Sequence, residues 1–458
     1  MRIVNLNPDT AIGASAWLVE VDGRRILLDA GTHPKREGRA GLPLLQQVAR
    51  EDVDAIAISH CHHDHVGALP VAIRHWPHAH VFLTELGYFL VERVLHNSVN
   101  VMKHKRREQG LTEYPLYSHD EVDEIAPLFQ GLKYNREMEW AAYAALHTGR
   151  TSPTLEFLDA GHVMGSAGMM IRGEEASLFY TGDVCFGDQT LLKGACFEEV
   201  RADVMIMETT RGARATLKGH SRAREVERLV EAISAVLARR GSVLIPTFAL
   251  GRTQEILGLL ALLMQEGRLP RQPIYIGGLG RVFTEIYDIQ AHRVRRQHPD
   301  LRLTESLNLV VLERGEAEKM KLTGGKIFVV TAGMMTENTA AHDLAARMIE
   351  EEQHAIFFVG YADPDTPGGR LKATLEGDTF PFSPMTGELV RRCEVQDFDL
   401  TAHANREELL DLVGRVGPKV VLLGHGDDDA RAWFETEIRR RHPKVRVCQP
   451  GPGACVNG

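Results

Sequence analysis

The sequence predicts a mixed α/β protein, with strand-rich segments towards both ends and an inserted layer of parallel strands and helices between them. Three observations lead there. Up to about residue 210, short apolar runs end repeatedly in Gly, Asp or His. From about Arg214, long helical patterns alternate with single strands, the signature of a parallel α/β layer. After the turn-rich DPDTPGGR, short strands and one helix return. On this pattern the chain divides into 1–212, 213–376 and 377–458, the last returning to the first. A length of 458 residues suits two or three domains at about 100–200 residues each.

In order, SAWLVEV and RRILLDAG read as strands joined by the turn Asp22–Gly23, the second ending in Asp29 and Gly31. A helix is expected around 42–50, then the strand 53–58, which opens into SHCHHDHVGALP. AHVFLT is a further strand, and 88–139 is mainly helical in pattern. LEFLDAGHVMGSAGMMI, ASLFYTGDVCFG and ADVMIMETT are strand-rich and end in polar residues. The inserted layer runs from the helix SRAREVERLVEAISAVLARR through SVLIPT, QEILGLLALLMQ, PIYIGG and KIFVVTAG to a helix over 340–350 and the strand HAIFFVGYA. REELLDLVGRV is a helix, KVVLLGHG a strand, a final helix follows, and the tail QPGPGACVNG reads as frayed.

Composition excludes several classes. At 44% hydrophobic and 25% charged residues the chain is of ordinary globular type. No window approaches the roughly 18 apolar residues of a membrane span, so no membrane association is expected. The N-terminus lacks the basic and apolar regions of a secretory signal. Six cysteines without CxxC spacing read as reduced thiols, which points to the cytoplasm. A formal net charge of −9 argues against a surface that coats nucleic acid indiscriminately, although a local basic track remains compatible with it.

The densest chemical signal is SHCHHDHVGALP, where four histidines and an aspartate fall within six residues at a strand end. In an extended segment, alternation puts His60 and His62 on one side, and the following turn can swing Asp64 and His65 towards the same point. His162 after LEFLDAG, Asp183 after SLFYTG and His425 after KVVLLG repeat the pattern of strand, glycine and ligand. A solitary loop histidine is usually structural, but the recurrence is not. Imidazoles and carboxylates suit zinc and similar divalent ions. Five histidines and two carboxylates suffice for two metals, with one carboxylate bridging. Such a site can generate hydroxide and stabilise leaving-group charge in phosphoryl or acyl transfer. Cys61 alternates away from the ligands and is expected to be buried behind them.

HxHxDH, with LLDAG upstream and AGH, TGD and a distal His downstream, resembles the metallo-β-lactamase fold of metallohydrolases. METT, PTFALGRTQEIL, TAGMM, GYADPDTPGGRL, TAHANREELL and LLGHGD extend the resemblance over nearly the whole chain to the β-CASP branch, and within it to prokaryotic relatives of the cleavage-and-polyadenylation endonuclease. The resemblance implies an αββα fold interrupted by a parallel-sheet β-CASP domain. It implies two Zn2+, with Mn2+ as the alternative: one held by His60, His62 and His162, the other by Asp64, His65 and His425, with Asp183 bridging. Asp29 would fix a ligand histidine from behind. Catalytic roles fall to Asp64, Asp183, Glu208 and His403. The implied reaction is endonucleolytic cleavage of single-stranded RNA, with 5′→3′ exonucleolysis as a second mode, by a metal-bridged hydroxide with His403 as acid or phosphate donor. DNA or a small phosphodiester or ester is the alternative substrate. A non-catalytic RNA-processing scaffold is the alternative class, against which the complete ligand set argues. The branch often forms homodimers.

Three departures from the branch stand out. Asn405 occupies a position where aspartate is usual, Arg211 replaces an aromatic residue after Glu208, and TENTA follows TAGMM where glycines are common. Arg211, Arg252 and Arg370 are the candidate phosphate contacts, structural salt bridges being the competing reading for Arg252 and Arg370. The basic runs KHKRR, HRVRRQH and RRRHPK could steer a phosphate backbone, although charge runs on helices are more often solvated faces.

Overall fold

The computed structural model describes residues 1–458 apart from 51, 150, 217, 218 and 314. The chain forms two compact units. The first comprises Met1–Asp188, Gly194–Thr216 and His403–Gly458; the second comprises Gln189–Lys193 and Leu217–Ala402.

Unit 1 holds two seven-stranded sheets. One runs in spatial order Cys455–Asn457, Arg2–Asn5, Trp17–Val21, Arg24–Leu28, Ala55–Ala57, His80–Thr84 and Phe129–Leu132. The other runs Arg446–Cys448, Val420–Gly424, Val204–Glu208, Ser177–Tyr180, Ala167–Arg172, Thr154–Asp159 and Met138–Glu139. Their facing sides share one core, in which Trp17, Ile26 and Leu28 meet Phe157, Ile171, Ile206 and Leu422. Val204 and Ile206 point into that core, whereas Met205 and Met207 point away, against the helices Arg406–Val416 and Asp428–Arg441 through Leu409, Leu412 and Phe434. VMIM and VVLL are therefore continuous apolar runs because both faces of their strands are covered. The helix Glu85–Gln109 packs on the outer side of the first sheet. Helix, sheet, sheet and helix make the expected αββα layering.

Strand direction positions the site. Arg24–Leu28, Ala55–Ala57 and His80–Thr84 are mutually parallel. In the second sheet Ser177–Tyr180, Val204–Glu208 and Val420–Gly424 are parallel, and Thr154–Asp159 shares their direction through two antiparallel steps. Strands that share a direction release their following residues at one edge of a sheet.

Unit 2 is a six-stranded parallel sheet in the order Leu309–Leu312, Ile274–Gly277, Ile327–Val330, Val243–Pro246, Ala355–Phe358 and Glu394–Asp397. Its last strand differs from the sequence-based division at 376. Glu394–Asp397 pairs with Ala355–Phe358, so the insert extends through Ala402. EVQD lacks an apolar run because it lies at the sheet's edge and only one neighbour holds it.

Two further expectations are corrected. In place of a helix over 42–50 there are short 3-10 turns, Gly38–Gly41 and Leu45–Gln47, where Pro43 restricts the preceding residue to extended backbone. The tail is not frayed: Cys455–Asn457 pairs antiparallel with Arg2–Val4, after QPGPG has reversed the chain. Among the described residues no helix is long and apolar enough to cross a membrane.

Gly31 ties the second hairpin strand to the histidine segment. Ala30 N–H donates to His65 O at 2.8 Å and Thr32 N–H to His63 O at 3.0 Å. A Cβ on Gly31 would stand 1.7 Å from Asp64 O. Gly31→Ala therefore forces backbone apart at a ligand segment and is expected to destabilise unit 1 by about 1–3 kcal/mol. All four tryptophans (Trp17, Trp76, Trp140 and Trp433) belong to unit 1. Urea unfolding followed by tryptophan fluorescence reports the change, and an unaltered midpoint would show that the contact is relieved cheaply.

Candidate metal centre

Each candidate ligand follows the C-terminal end of a strand. His60 and His62 follow Ala55–Ala57, and Asp64 and His65 sit on the single helical turn His63–Val66. His162 follows Thr154–Asp159, Asp183 follows Ser177–Tyr180 and His425 follows Val420–Gly424. The chain turns sharply at these points. Asp29 and His425 adopt left-handed backbone with φ of 62° and 48°, a strained choice for residues with a side chain. Gly161, before His162, has φ 64°, and a Cβ there would lie 2.6 Å from Cys185 O. Only glycine makes that turn without displacing backbone.

The side chains converge in two groups joined by one carboxylate. His60, His62, His162 and Asp183 present ligand atoms within 4.8 Å of one another, as do Asp64, His65 and His425. His162 Nε2 lies 3.1 Å from His62 Nδ1, and His60 Nε2 lies 3.7 Å from Asp183 Oδ2. On the other side, His425 Nε2 is 3.1 Å from Asp64 Oδ2 and 3.3 Å from His65 Nε2. Asp183 Oδ1 is 3.4 Å from His65 Nε2, so its two oxygens serve different groups. Behind the cluster, buried Asp29 accepts from His65 Nδ1 at 2.7 Å and from the Tyr180 hydroxyl at 2.6 Å. Thr210 Oγ1 lies 3.0 Å from His425 Nδ1. Tyr180 and Thr210 are not legible in the sequence as site residues, since a strand tyrosine and a loop threonine carry no spacing signal.

The electrostatics follow from crowding three carboxylates into a buried place. Burial disfavours the charged form of Asp183, but His425 and His65 outweigh it and hold the carboxyl well below its ordinary range. His65 is opposed by burial, yet Asp183, Asp29 and Asp64 raise it well above the usual histidine value. His425 is raised against burial by Asp183 and Asp64. Burial and then His65 push His60 well below its usual value, leaving a neutral imidazole. His60 Nε2 and Asp183 Oδ1 are buried without a hydrogen-bond partner. Imidazole nitrogens and carboxylate oxygens aimed at shared points, two of these atoms unsatisfied, fit divalent cations. The clusters suggest a di-metal site. Burial, with Asp29 nearby, pushes the Cys61 thiol up to about 12, and its Sγ faces Gly87 O, so Cys61 stands behind the ligands and stays protonated.

A second pair adjoins the ligands. Glu208, buried at the end of its strand, lies 3.1 Å from His403 Nδ1 and accepts from Val184 N–H at 2.7 Å. The His403 ring packs 4.6 Å from that of His162. Burial opposes a charged His403, but the Glu208 carboxylate outweighs it and raises the pKa.

Comparison with known proteins gives the family. Residues 9–218 match the metallo-beta-lactamase superfamily, 253–371 the Beta-Casp domain, and 388–448 the Zn-dependent metallo-hydrolase RNA specificity domain. A ribonuclease of Thermus thermophilus is 31% identical over 474 aligned positions, covering 100% of both chains. The chain belongs to the metallo-β-lactamase superfamily, in its β-CASP nuclease family. A probable RNase of Methanocaldococcus jannaschii is 28% identical over 93% of this chain and 94% of its own. An endoribonuclease of Eremothecium gossypii is 24% identical over 98% of this chain, which spans only 59% of that relative's length. A crystal structure of a protein of unknown function from Enterococcus faecalis shares the fold, with a TM-score of 0.59 at 13% identity over 99% of each chain.

Among the departures from the β-CASP pattern, Asn405 has a structural explanation. It caps the helix Arg406–Val416, its Oδ1 accepting from Glu408 N–H at 2.9 Å while the Glu408 carboxylate accepts from Asn405 N–H. Asparagine and aspartate cap about equally well, so the change preserves the turn that presents His403. Arg211 lies beside His403, with Nη1 3.5 Å from His403 O. Arg252 is a different case. It is buried and donates to Leu400 O at 2.6 Å and to Gln189 Oε1 at 2.8 Å, hydrogen bonds to neutral acceptors. Arg370 donates to Phe382 O and Asp365 O.

The basic runs are largely engaged as well. Lys105 pairs with Glu37, Arg296 is buried against Leu301 O, and Arg439, Arg440 and Arg441 pair with Glu435, Glu437 and Asp411. They read as packed or solvated faces. The capping role of Asn405 sets an expectation: Asn405→Ala costs about 1 kcal/mol and Asn405→Asp stays within a few tenths of that. Urea unfolding of the two variants checks it, and equal losses would remove the cap as the explanation.

Proposed function

We propose that this β-CASP protein is a zinc-dependent ribonuclease that cleaves single-stranded RNA endonucleolytically. The observation that carries the proposal is the Glu208–His403 pair at 3.1 Å, set beside a di-metal ligand cluster. The cluster alone supports a metallohydrolase, and a buried glutamate paired with a half-buried histidine next to it supports phosphodiester chemistry. The relatives named as ribonucleases, one of them matched over its full length, favour RNA.

On this reading His60, His62 and His162 would hold one ion, and Asp64, His65 and His425 the other, with Asp183 available to both. Two bound divalent ions supply Lewis acidity, which lowers the pKa of water and neutralises phosphate charge. The chain's own groups do the rest. His403 Nδ1 is directed at Glu208, and on this reading the imidazole so oriented would serve the substrate. Its raised pKa keeps a proton available near neutrality, for donation to the scissile phosphate or the departing oxygen. Glu208 orients that imidazole, and its bond to Val184 N–H ties it to the segment carrying Asp183. Arg211, with Nη1 3.5 Å from His403 O, would add positive charge beside that histidine. Six free cysteines fit a reducing compartment, the cytoplasm.

The test is cleavage of labelled single-stranded RNA, matched DNA and a bis-aryl phosphodiester, each with zinc and with manganese. RNA is expected to be cut internally, and His403→Ala to lower the rate by about 100- to 10,000-fold while bound zinc is retained. Activity confined to the small diester, or an unaffected His403→Ala, contradicts the proposal.

A further inference from the structure

We infer that Ser59 is a positioning residue of the metal centre, whose hydroxyl fixes the ring nitrogen that His60 turns towards its metal. The inference deepens the di-metal reading above and rests on it. It follows from counting protons around Asp29.

Asp29 and Ser59 are wholly buried, and four donors converge on the carboxylate. Ser59 N–H reaches Oδ1 at 2.6 Å. Ser59 Oγ, the Tyr180 hydroxyl and His65 Nδ1 reach Oδ2 at 2.8, 2.6 and 2.7 Å. A carboxylate offers only lone pairs, so each of these contacts needs its proton from the partner. The single hydroxyl proton of Ser59 is therefore committed to Asp29. Towards His60 Nδ1, 3.1 Å away, Ser59 Oγ has only a lone pair to offer. The His60 proton must lie on Nδ1, and Nε2 must carry the free lone pair. Nε2 is the atom that lies buried, without a hydrogen-bond partner, 3.7 Å from Asp183 Oδ2.

One carboxylate thus presets a ligand in each pocket. It acts directly on His65, whose Nδ1–H donates to it and whose Nε2 faces His425 and Asp183. It acts through the Ser59 hydroxyl on His60. The two routes differ in what can break them. Without Ser59 Oγ, His60 Nδ1 loses its acceptor in a buried place, and the ring can move its proton to Nε2, where it blocks coordination. His65 keeps its bond to Asp29.

Zinc affinity, measured by competition against a chromophoric chelator with stoichiometry from elemental analysis, tests the inference without reference to catalysis. Wild type should bind two zinc ions. Ser59→Ala should weaken one of them by roughly 10- to 100-fold, the usual range for losing a partner of a ligand histidine, and leave the other nearly as it was. In a His425→Ala chain, which disables the Asp64–His65–His425 pocket, Ser59→Ala should weaken the remaining zinc by a similar factor. In a His162→Ala chain it should have little effect. Tyr180→Phe removes another donor from Asp29 but holds no ligand's proton, so it should loosen both pockets alike. Circular dichroism confirms that each variant is folded. Two ions bound equally well by Ser59→Ala, or both weakened to the same degree, overturn the role of Ser59 alone. A wild-type chain that takes up no zinc overturns the di-metal reading and the inference with it.

Discussion

Three carboxylates and five imidazoles meet at one edge of a sandwich of two sheets, most of them shielded from water, and that crowding governs the rest of unit 1. Buried carboxylates are costly unless positive charge or hydrogen bonds compensate them. Asp29 meets the requirement with four protein donors, whereas Asp183 and Asp64 depend on His65 and His425. Divalent cations would satisfy the same demand, and His60 Nε2, buried without a hydrogen-bond partner, would be one of the atoms to hold them. The left-handed turns at Asp29 and His425 and the missing side chain at Gly31 all hold this donor set in place. Local rules of stability are broken where the site needs them broken.

The clustered part of the site was legible in the sequence because its residues are dense or follow apolar runs. HxHxDH declares itself, and AGH and TGD repeat a strand, a glycine and a ligand. The parallel strands turn that repetition into proximity. Glu208 and His403 were legible only through family resemblance, because a lone glutamate and a lone histidine 195 residues apart carry no spacing signal. Ser59, Tyr180 and Thr210 act through hydrogen bonds that depend on the folded geometry. The layered fold was readable from apolar runs and strand–helix alternation. The misread parts were those held by distant partners: the tail strand pairs with the first strand of the chain, and the edge strand Glu394–Asp397 pairs inside the insert. Pro43 also overrode the apolar periodicity of 42–50.

A fold of this kind hosts many reactions, so the substrate has to be argued from the site. The metal ligands alone are neutral between esters and phosphodiesters. The Glu208–His403 pair is what the proposed phosphodiester chemistry rests on, because the Glu208 carboxylate raises the pKa of an imidazole beside the candidate ligands. Asn405 preserves the helix cap that presents this histidine, so its departure from the family pattern does not disturb the pair. Arg252 and the Arg439–Arg441 run are engaged by protein groups, and Arg296 is buried with one bond to Leu301 O.

The central claim is that this chain holds two metal ions, joined by Asp183. Anomalous diffraction at the zinc edge, from crystals of the protein purified with zinc, tests it most directly. The account predicts two peaks, one among His60, His62 and His162 and one among Asp64, His65 and His425, with Asp183 in contact with both. A single peak, or none within these residues, would contradict it.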